Sequence, residues 1–265
     1  MAVPTPDARG MSLASVDTPT NAPLELYLLR HGRTTVNSQG RLQGRTDDPL
    51  DQLGEAQAAA VGSWASAHGL QFDAVVSSPL LRARQTAALA SGATLDQADA
   101  VATDELLLEM DYGPYDGFDF KHDKPDPALA AFFADFIHTP APEGMESLDH
   151  VKERGALFLR KCQDWYQGCS QTQSSQTQTA TDRPLRVLVV CHAIILKGIL
   201  EDLDPSLAGS WWNTYMGTCW TFRSCLLPAG AGDGVAFQPA ELVFKGDEAA
   251  NEAANEAAER TRGKA

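Results

Sequence analysis

The sequence predicts a three-layer α/β/α sandwich around a mainly parallel central sheet, on three observations. LELYLLR at 24–30 and PLRVLVVC at 184–191 are short, nearly continuous apolar runs, the pattern of strands buried on both faces. DAVVSS at 73–78 is a further strand that runs at once into a helical segment. Stretches with helical spacing alternate with these runs, which favours parallel pairing through crossovers. In such folds ligands meet the C-terminal ends of the strands, and Arg30, His31 and His192 lie at such ends.

Each element has its own local reason. Residues 1–23 are rich in Pro, Thr, Ala and Asp and read as a disordered lead-in without the apolar stretch of a signal peptide. The strand at 24–30 gives way to a loop. DQLGEAQAAAVGSWASAHG then predicts a helix with Asp51 as N-cap and Gly69 as its stop. PLLRARQTAALAS predicts the next helix, with Ser78 as N-cap and Pro79 at the first helical position. VATDELLLE is a short strand or turn, and 111–126 is loop. Helices are predicted over 127–138 and 147–167, the second capped by Ser147.

GCSQTQSSQTQTATD at 168–182 reads as a polar low-complexity insertion. HAIILKGILEDL turns from strand to helix, and CWTFRSCLL and ELVFK are late strands. One domain is therefore expected over 24–245. The tail at 246–265 repeats Asn-Glu-Ala-Ala without an apolar face and reads as a frayed end.

Bulk properties narrow the function. A chain of 265 residues can bury a core that needs no staples. A net charge of −14 argues against nucleic acid or an anionic membrane as the main partner, since both attract basic surfaces. A small anionic substrate remains open, because a local knot of arginines can hold phosphate. Cys162, Cys169, Cys191, Cys219 and Cys225 are odd in number and match no disulfide or zinc spacing, so a reducing cytoplasm is expected. No run approaches the length of a membrane-spanning helix. His122, His138 and His150 lack metal-ligand spacing, and no metal or other cofactor is expected.

The chemistry concentrates at strand ends. His31 follows a buried strand, with Arg30 before it and Gly32 after it, where a glycine permits close backbone approach. Arg82 falls in the first turn of a helix, adding donors to the free amides there. His192 follows the strongest strand and opens a helix. Together the two histidines and two arginines would make one phosphate-shaped pocket.

These motifs resemble the histidine phosphatase superfamily, the clan that includes cofactor-dependent phosphoglycerate mutase. The Arg-His-Gly signature appears as Arg30, His31 and Gly32. Thr34, Asn37, Gln43 and Gly44 match the residues that follow it. Asp48-Pro49-Leu50 and Gly54 to Gln57 match the next stretch. Ser-Ser-Pro-Leu-x-Arg-Ala-x-Gln-Thr-Ala is complete from Ser77 to Ala87. Glu109, Gly113 and Gly117 match the spaced Glu-Gly-Gly motif, and PEGMES at 142–147 resembles a Pro-x-Gly-x-Glu-Ser loop. Cys191 and Ala193 stand where the family usually has Ser or Thr and Gly, and Met145 where Gly is common.

The resemblance implies that His31 is the phosphoryl-accepting nucleophile. It implies that Arg30, Arg82 and His192 neutralise the transferred group, with Asn37, Gln43, Gly44 and the amide of Ala193 lining the phosphate pocket. Glu109 is implied as general acid and base. The mutases carry a basic Arg-His-Tyr-Gly stretch after the acid, whereas here Met110, Asp111, Tyr112 and Gly113 follow. This acidic version resembles the phosphatase branch, so hydrolysis of small phosphorylated metabolites is expected ahead of mutase activity. A non-catalytic phosphate-binding module is the weaker alternative, since every candidate catalytic residue type is present. Oligomeric state is left open.

Overall fold

A computed structural model describes residues 22–124, 126–172, 183–209, 212, 215–228 and 235–251. In chain order the elements are β1 (Leu24–Arg30), α1 (Thr35–Ser38), α2 (Gln52–Ala67), β2 (Ala74–Ser77), α3 (Leu81–Ala90) and β3 (Ala102–Thr103). They continue with α4 (Pro127–Ala134), α5 (Leu148–Thr172), β4 (Leu185–Cys191), α6 (Ala193–Leu203), β5 (Trp220–Pro228), β6 (Val235–Phe237) and β7 (Glu241–Lys245). The sheet has seven strands in the order β3-β2-β4-β1-β5-β6, with β7 also on β5. β1, β2, β3 and β4 run parallel, and β5 to β7 pair antiparallel. The expected α/β sandwich is therefore observed. β6 was not expected from the sequence.

Strand alternation builds the layers. Leu24, Leu26 and Leu28 of β1 face one side with Val187 and Val189 of β4, and pack with Phe158 of α5 and Ile195 and Ile199 of α6. Tyr27 and Leu29 face the other side with Leu188 and Val190, and meet Ala58 and Val61 of α2 and Ala83 and Ala87 of α3. Both faces of β1 and β4 are covered, which is why their sequences are continuously apolar rather than alternating.

Asp51 caps α2 as expected, accepting the Gly54 amide at 2.8 Å. His68 ends that helix, and Gly69 follows with φ of 64°. Ser147 caps α5 through its hydroxyl, which accepts the His150 amide at 3.2 Å.

Three expected boundaries are corrected. The helix predicted to begin with Ser78 and Pro79 begins at Leu81 instead, with Leu80 as an N-cap that makes no side-chain bond. Ser78 is engaged with His192, and the carboxylate of Asp47 accepts the Leu81 amide in its place. The helix predicted over 127–138 stops at Ala134. The helix predicted to end at residue 167 runs to Thr172, taking in the start of the supposed polar insertion. Helix propagation costs little once a long apolar face has nucleated it. The rest of that insertion, 173–182, lies outside the described residues, as do 1–21 and 252–265. Residues 246–251 are helical and Ala250 is buried, so the first part of the tail packs on the domain. Among the described residues, no helix is long and apolar enough to cross a membrane.

Leu28 is fully buried at the centre of this arrangement. Replacing it by Ala is expected to cost about 2–5 kcal/mol in urea unfolding. The same change at the exposed edge residue Leu242 is expected to cost less than about 0.5 kcal/mol.

Candidate active site

Parallel register brings the chemistry together. In β1 and β4, Arg30 lies opposite Cys191; in β2 and β4, Ser77 lies opposite Val190. The next residue of each strand therefore emerges at the same edge: His31, His192 and Ser78. Backbone bonds extend the ladders one step further, His31 N–H to Cys191 O at 2.9 Å and Ser78 N–H to Val190 O at 2.8 Å. The two imidazoles end 5.0 Å apart between ring centroids.

The tautomer of His31 follows from its partner. Nδ1 lies 2.7 Å from the Gly32 carbonyl, which can only accept, so Nδ1 carries the hydrogen and Nε2 keeps its lone pair. The Gly32 amide in turn donates to Thr86 Oγ1 at 3.0 Å. A Cβ on Gly32 would stand 2.6 Å from the Gly54 carbonyl oxygen, so only glycine fits there. His192 is the N-cap of α6, with Nε2 2.8 Å from Ser78 Oγ. The Leu80 amide donates to the same hydroxyl oxygen at 3.4 Å. Burial first, then the Arg82 and Arg30 guanidiniums, push the His31 pKa well below that of an ordinary histidine. His192 is pushed down in the same way, with His31 and Arg45 contributing.

The arginines are built into the frame. Arg82 is fully buried in the first turn of α3 and donates to the carbonyls of Thr46 (2.6 Å) and Gly44 (2.7 Å). Asp116 holds the other side of that loop, accepting the amides of Gly44 (2.8 Å), Arg45 (2.8 Å) and Thr46 (3.0 Å). Gly44 therefore serves the frame of the pocket, and a Cβ there would meet the Met110 carbonyl oxygen at 2.8 Å. Arg30 donates to the Met216 carbonyl.

Asn37 Oδ1 accepts the Thr34 amide at 3.0 Å in a capping box on α1. Gln43 Oε1 accepts from Thr34 Oγ1 (2.7 Å), and its Nε2 donates to Asp48 (3.0 Å). Ala193 is the first residue of α6. Several buried nitrogens of the candidate residues and of Arg45 have no hydrogen-bond partner among the described residues: Arg30 Nε, Arg82 Nε, Arg45 Nε, Asn37 Nδ2 and His192 Nδ1. Orphaned buried donors are costly, and a site that collects them is matched to an anion with many acceptor oxygens.

Glu109 is buried, and its carboxylate accepts the amides of Met110 (2.9 Å), Ile194 (3.1 Å) and Ile195 (3.3 Å). The last two belong to the N-terminus of α6, so the helix that presents His192 also fixes Glu109. Its charge is felt by both Arg30 and Arg82. The other carboxylates near it in sequence are engaged elsewhere. Asp104 pairs with Lys161 at 2.6 Å, and Asp111 accepts the Gly113 amide at 2.8 Å. Arg33 pairs with Asp51 at 2.7 Å and its side chain is 39% exposed. His122 and His138 pair with surface aspartates.

Sequence reasoning missed four contributors. Ser78 was read as a helix cap. Arg45 and Asp116 lie in loops where no periodicity marks them. Arg154 carried a signal: it falls with Val151 and Phe158 on the buried face of α5, where an arginine is out of place unless partnered.

The geometry can be set beside known proteins. Residues 26–222 match the family model described as histidine phosphatase superfamily (branch 1). The chain belongs to this family. A bifunctional protein of Mycobacterium tuberculosis is 35% identical over 206 residues, 74% of this chain and 50% of its own length. The chain thus spans half the length of that mycobacterial relative. Fructose-2,6-bisphosphatase TIGAR B of Danio rerio is 31% identical over 234 residues, 81% of each chain. A 2,3-bisphosphoglycerate-dependent phosphoglycerate mutase of a Methylobacterium species is 36% identical over 186 residues, 68% of this chain and 80% of its own. Among solved structures, a mycobacterial glucosyl-3-phosphoglycerate phosphatase superposes with a TM-score of 0.62 at 25% identity, covering 84% of this chain and 99% of the other. The family thus includes both phosphatases and mutases.

The depressed histidines set a pH dependence of stability. In the unfolded chain both titrate near about pH 6.5. In the fold they stay neutral to much lower pH, so below about 6.5 the unfolded state binds more protons and gains on the native one. Their contribution is complete above that pH and declines as pH falls through it. Urea midpoints measured from pH 8 to pH 5 are expected to show this decline, with a shallower slope in the H31Q/H192Q double variant.

Proposed function

We propose that the protein is a phosphatase that hydrolyses small phosphate monoesters through a phosphohistidine formed on His31. The observation that carries this reading is the fixed tautomer of His31, whose Nε2 lone pair stands free among buried cationic donors. A neutral imidazole is the form that can attack, and its low pKa keeps it so at neutral pH.

The reaction runs in two halves. His31 Nε2 attacks phosphorus, a P–N bond forms, and the bond from phosphorus to the leaving oxygen breaks. The leaving oxygen takes its proton from Glu109. Arg30, Arg82 and His192 take up the charge on the phosphoryl oxygens, the largest contribution in such reactions. In the second half, water attacks phosphorus and gives a proton to Glu109. The P–N bond breaks, His31 regains its lone pair, and inorganic phosphate leaves. Asn37, Gln43 and the Ala193 amide complete the phosphate pocket in this reading.

The substrate is a small phosphorylated metabolite. The charge of −14 supports the exclusion of nucleic acid and membrane surfaces as partners. The buried free thiols of Cys162, Cys191 and Cys219 are suited to a reducing cytoplasm. A mutase is the second reading, favoured by the Methylobacterium relative. Against it stands Asp111, at the position where mutases carry a basic residue, since a second phosphate there would meet like charge.

Glu109→Gln tests the reading most sharply. An alkyl phosphate needs its leaving oxygen protonated, whereas nitrophenolate departs nearly unaided. In single-turnover release of the first product, E109Q is expected to slow an alkyl phosphate by about 10²–10⁴-fold and p-nitrophenyl phosphate far less. Equal losses would show that Glu109 is not the acid. Acid-labile phosphate should be trapped on His31 during turnover and vanish in H31A. Trapping on another residue would refute the nucleophile.

Arg30 and Arg82 supply the positive charge that a metal would otherwise provide. Activity is therefore expected to survive prolonged EDTA treatment. Loss on chelation, restored by a divalent cation, would contradict this.

A further inference from the structure

The PEGMES loop at 142–147 has no task in the reaction as described, yet Glu146 is among the most heavily bonded side chains of the molecule. Its carboxylate accepts from Arg154 Nε (2.8 Å) and Arg154 Nη2 (3.0 Å), a two-pronged pair. It also accepts the Asp111 amide at 3.0 Å, while the Glu146 amide donates to the Asp111 carbonyl at 2.8 Å. Arg45 reaches the same carboxylate at 3.5 Å, and His150 Nδ1 lies 2.8 Å from it. Both members of the central pair are buried, with side-chain exposures of 9% for Arg154 and 6% for Glu146. Burial works to raise the Glu146 carboxyl, but Arg154, the Asp111 amide and Arg45 hold it below the usual carboxylate range.

The remaining donors of Arg154 point to the object of this pairing. Nη1 donates to the carbonyls of Leu106 and Leu108, both at 2.8 Å, and Nη2 lies 3.4 Å from the carbonyl of Glu109 itself. One guanidinium thus gathers the backbone on the N-terminal side of Glu109, and its partner carboxylate gathers the backbone on the C-terminal side at Asp111. The side chain of Glu109 is meanwhile held by the first amides of α6. A buried ion pair of this kind is a weak source of net stability, but it has a strongly preferred geometry.

We infer that Arg154 and Glu146 are positioning residues that fix Glu109 for proton transfer, and that Glu146 links this acid segment to Arg45 at the edge of the phosphate pocket. The inference rests on the reading of Glu109 as the general acid. Neither residue touches the reacting atoms; each acts through the backbone of 106–111. A misplacement on the order of 1 Å at such a group can cost about 10²-fold in rate.

The test uses the full chain and two mild variants. R154K keeps the charge and loses the fork, and E146Q keeps the shape and loses the charge. If one fails to fold by circular dichroism, the other carries the experiment. Single-turnover release of the first product is measured with an alkyl phosphate and with p-nitrophenyl phosphate, in the native and E109Q backgrounds. In the native background each variant is expected to slow the alkyl ester at least about tenfold more than the nitrophenyl ester. In the E109Q background the same changes should alter the alkyl rate less than about twofold, because the group they position can no longer give a proton.

A leaving-group-dependent E109Q together with variants that slow both esters equally would keep the acid reading and overturn the positioning role. Additive losses in the E109Q background would overturn it as well. Equal losses for both esters in E109Q alone would remove the acid reading, and the positioning role with it.

Discussion

Parallel pairing of β1 and β2 on either side of β4 is the constraint on which the rest of the structure depends. In an open parallel sheet, chains leave the strands at one edge, and register decides which residues leave side by side. Here it aligns Arg30 with Cys191 and Ser77 with Val190, so that His31, His192 and Ser78 emerge together. A slip of one residue in any strand would turn its apolar side chains to the wrong face, and both faces are packed. The same packing that makes the core therefore fixes which side chains meet at this edge.

That edge concentrates positive charge in a strongly acidic protein. Arg30, Arg82 and Arg45 act on two neutral histidines, and the charge of Arg30 and Arg82 is balanced by carboxylates, Glu109 for both and Asp116, Asp48 and Asp47 for Arg82. The balance is structural as well as electrostatic. Arg82 and Asp116 grip opposite polar groups of the 44–46 backbone, one taking carbonyls and the other amides. The loop is so held beside buried nitrogens that no group among the described residues satisfies, and donors fixed in this way can stabilise charge without reorganising. His31 gains in a second way, because the cations that would hold a phosphate also keep its own imidazole unprotonated.

The Glu109 side of the site depends on a different layer. α6 presents His192 at its N-cap and captures the Glu109 carboxylate with its next free amides. α5, packed against α6 beneath the sheet, supplies Arg154. His192 and Glu109 are thus held by the same strand-to-helix turn, which couples them without direct contact. The replacement of the usual glycine by Ala193 leaves this turn intact, since its residue sits in ordinary helical backbone.

The sequence by itself determined the α/β class, the strands at β1, β2 and β4, the caps at Asp51 and Ser147, and the identity of His31, Arg82, Glu109 and His192 as site candidates. Those features are local: apolar continuity, capping chemistry and motif order act over a few residues, so they can be read in one dimension. Helix ends at Leu81, Ala134 and Thr172 and the small strand β6 escaped it, because tertiary partners such as Asp47 and His192 override local propensity. Arg154 left a trace as a charge on an apolar helix face, but its partners at Glu146, Leu106 and Leu108 could not be named. Only the tertiary structure decided the tautomer of His31, the clamp of Arg82 against Asp116 and the anchoring of Glu109. Each of these depends on which orphan donor meets which acceptor across tens of residues of chain, and that is set by packing.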